Sequence, residues 1–597
     1  MGVRFKTYTL SAEDKDRLLS LSDSFPHINS YVLKALYVRG INTKEKIYQF
    51  FSEDLTSLKT GKYLDECMEF IDELVKSENE TIVLFGDYDC DGIFGTTVAY
   101  LVLRRLGYRV YFHVNDRDVG YGLKKQSIDK IRESYPNVNT IITIDNGISS
   151  FEAIDYANEL GIKVLVTDHH LSQETLPNAK VIVNPNKVGC TSKIKNNCGA
   201  VVIWKVLFEL VDYLGRNDLE PFMYDLLDLC AIATIADQVT LVGDNRLIVK
   251  HGLKLLNRRS RFSLSLFLDA YNLNDVDTDS IGFYVAPMFN SFNRMGHDVT
   301  TLIRALTFDY DDRDYIIDTV NLGLNLNNLR RENSNGYFEL IKNDIDASIE
   351  DCLMNHEPNP IDNVIVKLYK DMPEGCLGII ASKISEYYSR PAVILTCTKD
   401  GLIKGSARSM HPLNIKGLFD KFPNVFSSYG GHDYAAGCSF SSYEDFVEFQ
   451  NLVYENTKHI DPNVFSEVKY IDVVLAGKLD DFGLCDMFDC LKPFGIGFSE
   501  PRFYYNGFRV NVDKTLNNKR KSPYVGKDGN TLRLVNDDGL VAIGFNCSSK
   551  YRELGEPNGL CLVGKPSINE FNGRKSIQFQ IEQNYIMKMK TWFSLAS

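Results

Sequence analysis

Between residues 80 and 240, short runs of aliphatic and β-branched residues alternate with stretches in which apolar positions recur every three or four residues. The runs at 81–85, 110–114, 140–144, 163–166 and 181–183 predict strands. The stretches 95–106, 123–134, 150–160 and 200–214 predict helices. Alternation at this spacing predicts a mostly parallel α/β sheet, since parallel neighbours need a crossover long enough to hold a helix. From 301 to 355 the pattern turns helical, polar and asparagine-rich, which predicts long helices bridging two lobes. A second, smaller α/β segment follows, with strands at 364–368 and 392–396. After Asp461, short strands such as 560–564 and 577–581 alternate with glycine and asparagine turns, predicting a small β-barrel or sandwich.

A chain of 597 residues exceeds what one core organises, so several domains are expected. No run of about 18 apolar residues occurs, and no membrane-spanning helix is expected. The stretch Met1-Gly2-Val3-Arg4-Phe5-Lys6 lacks the apolar core of a secretory leader. The cysteines form no C-x-x-C pair, and most, such as Cys230, Cys397 and Cys561, sit in apolar contexts. They are expected to be reduced core residues of a cytoplasmic protein (bacterial or, for a viral protein, in the host cytoplasm) rather than zinc ligands or disulfides. The formal net charge of −13 argues against binding nucleic acid by bulk electrostatics but leaves room for a local basic channel. Arg258-Arg259-Ser260-Arg261 and Lys519-Arg520-Lys521 are candidates for its lining, with charged surface turns as the simpler reading.

The sharpest polar signal follows the first strand, where Gly86-Asp87-Tyr88-Asp89-Cys90-Asp91-Gly92 places a carboxylate at every second position. Crowded carboxylates repel as they ionise unless a cation neutralises them. Continued as extended chain, the alternation aims all three at one face of the sheet's C-terminal edge, where open α/β sheets place their chemistry. A solvated acidic turn is the alternative. Asp145-Asn146-Gly147 follows the third strand, Asp168-His169-His170 follows the fourth, and Asp237 closes the apolar segment 231–236. Farther on, Asn293-Arg294-Met295-Gly296 offers a cation beside a glycine. Carboxylates with an occasional imidazole suit hard divalent ions such as Mn²⁺ or Mg²⁺, whereas zinc recruits more cysteine or histidine. Six aspartates and two histidines exceed the needs of one ion, so two ions about 3.5–4 Å apart with a bridging carboxylate are expected, and phosphoester hydrolysis is the leading chemistry.

In this order, the motifs resemble the DHH phosphoesterase superfamily, and within it the RecJ branch of single-stranded-DNA exonucleases. Leu36-Tyr37-Val38-Arg39-Gly40, Asp116-Arg117 with Gly120-Tyr121-Gly122, Cys198-Gly199-Ala200, and Ala236-Asp237 with Asn245-Arg246 are similar to stretches of that branch. Glu374-Gly375 with Gly378, Gly405-Ser406-Ala407-Arg408-Ser409 and Gly430-Gly431-His432 resemble its DHH-associated domain. Pro493-Phe494-Gly495-Ile496-Gly497 resembles the start of its oligonucleotide-binding (OB) barrel. Two positions depart from the pattern: Asn293 stands where the family has glycine in the loop before the arginine, and Phe498 where it usually has asparagine.

The resemblance implies an α/β fold: a parallel-sheet DHH domain and a smaller α/β DHH-associated domain joined by long helices, plus a C-terminal OB-like β-barrel. The boundaries expected are an N-terminal segment packing on the core over 1–60, the DHH domain over 61–270 and a helical connector with the arginine loop over 271–355. The DHH-associated domain is expected over 356–460 and the OB-like nucleic-acid-binding domain over 461–597. By the resemblance Asp87, Asp89 and Asp145 hold one divalent ion, and Asp91, Asp145, His169 and Asp237 the other, with Mn²⁺ preferred or Mg²⁺. Asp168 orients its neighbours, His170 contacts the scissile phosphate or leaving oxygen, and Arg294 stabilises developing charge. Arg117, Ser406, Arg408 and His432 are expected to bind substrate. The residues Gly405–Ser409 read as a small-residue turn exposing backbone N–H groups, and Tyr504, Tyr505 and Phe508 as candidates for stacking bases. The expected activity is 5′-to-3′ hydrolysis of single-stranded DNA in repair, recombination or replication, by a monomer that a helicase or single-strand-binding protein supplies with substrate. A phosphodiesterase of short oligoribonucleotides or cyclic dinucleotides is the alternative, although the segment after Asp461 argues against it. A non-catalytic replication scaffold is a third reading, which the intact ligand set disfavours.

Overall fold

The computed structural model describes residues 4–115, 119–307, 312–354, 362–398, 401–465, 468–475, 479, 482–516, 521–571 and 573–588. The chain divides into two compact units, the larger spanning 54–240 and 244–467 and the smaller 3–53, 241–243 and 468–597.

The larger unit begins with a parallel five-stranded sheet in the spatial order Arg109–Val114, Thr81–Gly86, Val138–Ile144, Lys163–Thr167, Val181–Val183. Its strands read as continuous apolar runs because both faces are covered. Ile82 and Leu84 face a core shared with Phe94, Val98 and Trp204, while Val83 and Phe85 face another with Ile128, Ile131 and Ile154. From Thr81–Gly86 the chain crosses first to one neighbour and then to the other, so the strand order reverses between Thr81–Gly86 and Val138–Ile144. A crevice opens at the carboxyl ends of strands at such a switch point. Asp87 and Asp145 are the residues that follow those two strands.

The helix Arg313–Met354 runs 42 residues, a length of roughly 60 Å at about 1.5 Å per residue. Ile316, Val320 and Leu326 near its start pack into the first core. Ile341 and Ile345 farther along pack on Leu377, Ile380 and Ile384 of the second α/β layer. That layer is a mixed sheet ordered Ser428–Gly431, Ala435–Phe440, Ile403–Arg408, Ala392–Cys397, Ile365–Lys370. One rod thus belongs to two cores, which is the bridging role its polar, helical pattern predicts.

The smaller unit carries a correction. The segment 1–60 was expected to pack on the core as one piece, yet residues 3–53 cluster with the C-terminal residues while 54–60 stay with the larger unit. Arg4–Thr7 pairs in parallel with Val468–Ile471, and Leu33, Leu36 and Phe50 share a core with Phe503, Phe508, Leu562 and Phe579. Sequence pattern shows that these helices have an apolar face but not which partner covers it. The expected barrel is a seven-stranded mixed sheet, and no pairing among the described residues joins its outer strands Val473–Leu475 and Tyr524–Val525. Tyr504, Tyr505 and Phe508 are buried in its cores and cannot stack on an incoming base. Phe498, at the position of a family asparagine, is buried against Phe50 at 4.9 Å between ring centroids. Cys230 and Cys561 are buried and unbridged, whereas Cys490 is exposed. Among the described residues no helix is long and apolar enough to cross a membrane.

Arg39 ties the N-terminal helices to the strands: its Nε and Nη2 donate to Asp472 at 2.7 and 2.9 Å, and the Asp472 side chain is 2% exposed. Removing one partner of a buried pair strands the other charge. Arg39→Met is expected to destabilise the smaller unit by about 3–5 kcal/mol, measured by urea unfolding.

Candidate metal centre and cleft

The three alternating aspartates do not continue a strand. The strand ends at Gly86 and a helix begins at Cys90, so Asp87 lies in the link, Asp89 caps the helix and Asp91 sits in its first turn. Asp89 Oδ1 accepts the N–H groups of Asp91 and Gly92 at 3.0 and 3.2 Å. Asp91 accepts from Gly199 at 2.6 Å and Ala200 at 2.9 Å, at the N-terminus of the helix Gly199–Tyr213. Two helix starts, each with unsatisfied N–H groups, therefore hold two of the carboxylates. Gly199 is required by contact, since a Cβ there would stand 2.6 Å from the Cβ of Asp145.

The remaining residues extend the sheet at its carboxyl edge. Asp145 N–H donates to Thr167 O at 3.1 Å and Asp168 N–H to Val183 O at 3.2 Å. Asp145 then turns into the left-handed region at φ 63°, which costs a non-glycine residue roughly 1–2 kcal/mol. His169 Nε2 lies 3.0 Å from Asp145 Oδ1 and 3.7 Å from both Asp91 Oδ2 and Asp237 Oδ2. Among the described residues neither His169 Nε2 nor Asp145 Oδ1 has a hydrogen-bond partner, although both atoms are buried. Ligand atoms of Asp91, His169 and Asp237 lie within 4.8 Å of one another, as do those of Asp87, Asp89 and Asp145, and those of Asp145, His169 and His170. Orphaned buried donor atoms and an oxygen-rich set with one or two imidazoles fit hard divalent cations.

The electrostatics suit a site for a cation. Burial and the neighbouring Asp89 push Asp87 well above the usual carboxylate range; burial and Asp91 do the same to Asp145. Burial and Asp91 push Asp89 up, and push Asp237 to about 8. Burial holds the His169 imidazole below its ordinary value, as a ligating neutral ring requires. Asp168 behaves differently. Burial opposes its ionisation, but the hydrogen bond and charge of His170 prevail and its pKa is lowered. Reciprocally, burial opposes the His170 cation, but Asp168 lifts it to about 9.

Asp168 was expected to orient its neighbours, with the imidazole it holds left open. Its Oδ1 accepts the backbone N–H groups of His169 and His170 and faces His170 Nδ1 at 2.8 Å, so the ring it orients is that of His170. Asn184 and Asn186 donate to the carbonyls of His170 and His169. Tyr121 Oη stands 3.2 Å from His170 Nδ1 and 3.4 Å from the Asp145 carbonyl. Asn184 and Asn186 went unread in sequence, where an Asn-Pro-Asn after the last strand was their only signal. Tyr121 stood in a recognised motif without a role.

The site opens into a cleft of about 1150 Å³ between the two α/β layers of the larger unit, lined by Asp89, Tyr121, Asn290, Arg294, Lys404 and Ser406 among others. Lys124 also lines it, so local cations face the cleft despite the chain's negative charge. Arg261, a candidate for such a channel, pairs with Asp228 at 2.9 Å. Lys519 and Arg520 lie outside the described residues.

Arg294 does not sit in a loop: it ends the helix Ala286–Arg294, with Asn293 inside it, and its Nη1 donates to Gly375 O at 3.1 Å. Gly405–Ser409 is likewise no turn. Residues through Arg408 form the strand Ile403–Arg408, paired on both sides, so its N–H groups serve the ladder rather than an anion. Arg408 donates to Ser382 Oγ and Ser406 Oγ at 3.0 and 3.1 Å, and Gly378 leaves room for its guanidinium. His432 lies exposed in a hairpin turn, and the cleft lining includes Gly430 but not His432. Arg117 lies outside the described residues.

Comparison with known proteins follows this geometry closely. Residues 81–234 match the DHH family, N-terminal domain; 362–458 match the DHHA1 domain; and 471–583 match the RecJ OB domain. The single-stranded-DNA-specific exonuclease RecJ of Bacillus subtilis is 29% identical over 96% of this chain and 70% of its own. The chain thus carries DHH, DHHA1 and RecJ OB domains and is similar to RecJ over most of its length. RecJ of Haemophilus influenzae is also 29% identical, over 91% of this chain and 93% of its own. The fold is that of RecJ from Thermus thermophilus, whose crystal structure in complex with Mn²⁺ superposes with a TM-score of 0.77, covering 98% of this chain and 80% of that one at 24% identity.

Without metal, the raised carboxylates keep protons that the unfolded chain releases, so stability falls as pH rises from about 4 through about 8, the value for Asp237. The pairing of His170 acts in the same direction, complete below its ordinary 6.5 and lost as pH passes about 9. Asp168, whose pKa is lowered, contributes above the ordinary carboxylate value and loses its contribution only on stronger acidification. In chelator, Tm should therefore decline between about pH 5 and 8, and Mn²⁺ should raise Tm and flatten that decline.

Proposed function

We propose that this protein is a metal-dependent exonuclease that hydrolyses single-stranded DNA from the 5′ end to nucleotides, in repair, recombination or replication. The observation that carries the reading is the carboxylate–imidazole cluster at the sheet's switch point, opening into a cleft with Arg294 in its lining. The RecJ relatives are named for single-stranded-DNA-specific exonuclease activity, and the Thermus RecJ structure holds Mn²⁺. The residues fit two such ions: Asp87, Asp89 and Asp145 would hold one, and Asp91, His169 and Asp237 the other with Asp145 shared. Divalent cations bound there supply Lewis-acid chemistry and neutralise phosphate charge.

The chain's own residues do the rest. Arg294 presents a guanidinium that matches two phosphate oxygens as charge develops on them. His170, protonated through its pairing with Asp168, donates a proton or hydrogen bond to the leaving oxygen. Ser406 and Arg408 grip the substrate phosphate from the second α/β layer, and Arg117 is assigned the same role by resemblance alone. The net charge of −13 supports modest intrinsic affinity for a polyanion and a partner that delivers the strand to a monomeric enzyme, a helicase or a single-strand-binding protein.

With Mn²⁺, wild-type protein should shorten 5′-phosphorylated, end-labelled single strands from the 5′ end, and Asp145→Ala should abolish that activity. An intact strand, or loss from the 3′ end, would show the reading to be wrong. Arg294→Lys should lower kcat by about 10²–10³ with a smaller change in KM, measured in the same assay.

A further inference from the structure

We infer that the smaller unit carries a pocket for one unpaired nucleobase, stacked on Phe545; this rests on the reading of the protein as a single-strand nuclease. The concavity measures about 340 Å³ and lies wholly within that unit. Part of its lining is bare backbone. The pairing of Gly559–Phe571 with Arg574–Lys588 shifts register between Leu562 and Gly564, and a side chain at Gly564 would collide with the Gln580 carbonyl. A β-bulge of this kind re-aims side chains and opens room beside a sheet.

Phe545 is 53% exposed, and its exposure is built into a fixed turn. Asn546 takes the left-handed conformation at φ 55°. Cys547, fully buried, donates from Sγ to the Phe545 carbonyl at 3.3 Å. Gly544 admits that sulfur, since a Cβ there would stand 2.7 Å from it. The turn that carries the ring is therefore fixed, and the half-exposed ring lines the pocket. Beside it, the side-chain amides of Asn546, Gln580 and Gln583 have no hydrogen-bond partner among the described residues.

The charged lining argues for a base over a phosphate. Arg502 Nε donates to Glu582 at 2.7 Å and Lys565 Nζ to Glu500 at 2.6 Å, so each cation already has its carboxylate. A phosphate would have to displace one of those carboxylates. A base instead offers its face to the ring and its edge donors and acceptors to the open amides.

The test uses full-length protein in chelator, with binding of oligo-dT read by fluorescence anisotropy and single abasic positions scanned along the strand. Wild type should lose affinity about tenfold when the base at one position is removed. Phe545→Ala should bind the intact strand about tenfold more weakly and become indifferent to that position; Phe545→Trp should restore both. Unchanged affinity in Phe545→Ala overturns the inference, as does an unchanged abasic profile, the result expected if the ring served a protein partner. In either case wild-type cleavage would leave the nuclease reading standing. If wild type neither binds nor cleaves single strands, that reading fails and the pocket assignment fails with it.

Discussion

The carboxylates of Asp87, Asp89, Asp91, Asp145 and Asp237 face one another where little water reaches them, and the larger unit is arranged around making that arrangement tolerable. Two full charges within 4.8 Å repel by roughly 3–4 kcal/mol at an effective dielectric of about 20. The fold offsets part of this with the starts of two helices, which give Asp89 and Asp91 their N–H groups. The remainder would fall to a cation, since among the described residues Asp145 Oδ1 and His169 Nε2 are buried without a hydrogen bond of their own. The left-handed Asp145 is consistent with this division, because local backbone strain persists where the surroundings over-determine it.

The same economy separates two adjacent histidines. His169 faces three carboxylates through Nε2 and is held neutral by burial, whereas His170 is tied through Nδ1 to Asp168 and held charged. One ring is suited to bind a cation and its neighbour to give up a proton, with the difference set by which carboxylate each one meets. Arg294 reaches the same cleft from the end of a helix whose backbone packs directly on Gly375, so the arginine and the second α/β layer are positioned together.

The smaller unit follows a different logic. Its aromatic residues are mostly spent on its core, which gathers the N-terminal helices as well as the strands. Exposure of an aromatic there is therefore informative, and at Phe545 it results from a turn pinned by Cys547 beside a bulged pair of strands. Arg39 has a corresponding structural role, joining the N-terminal helices to Asp472.

Much of the larger unit was legible in its residues. Continuous apolar runs named all five strands of the parallel sheet within a residue or two, because a strand buried on both faces has little compositional freedom. Polar residues at the ends of those strands pointed to the carboxylate–imidazole cluster that the fold assembles, because carboxylates and imidazoles there are hard to explain as solvation. Local periodicity does not carry long-range contact. It therefore missed that Asp89 and Asp91 belong to a helix start and that Gly405-Ser406-Ala407-Arg408 is an inner strand. For the same reason it left open which imidazole Asp168 holds and which core the first fifty residues join. Sequence by itself determined which carboxylates, imidazoles and guanidinium groups the chain carries and where along it they stand. Only the tertiary structure decided which of them meet, because burial and the pairing of distant charges exist only once the chain has packed.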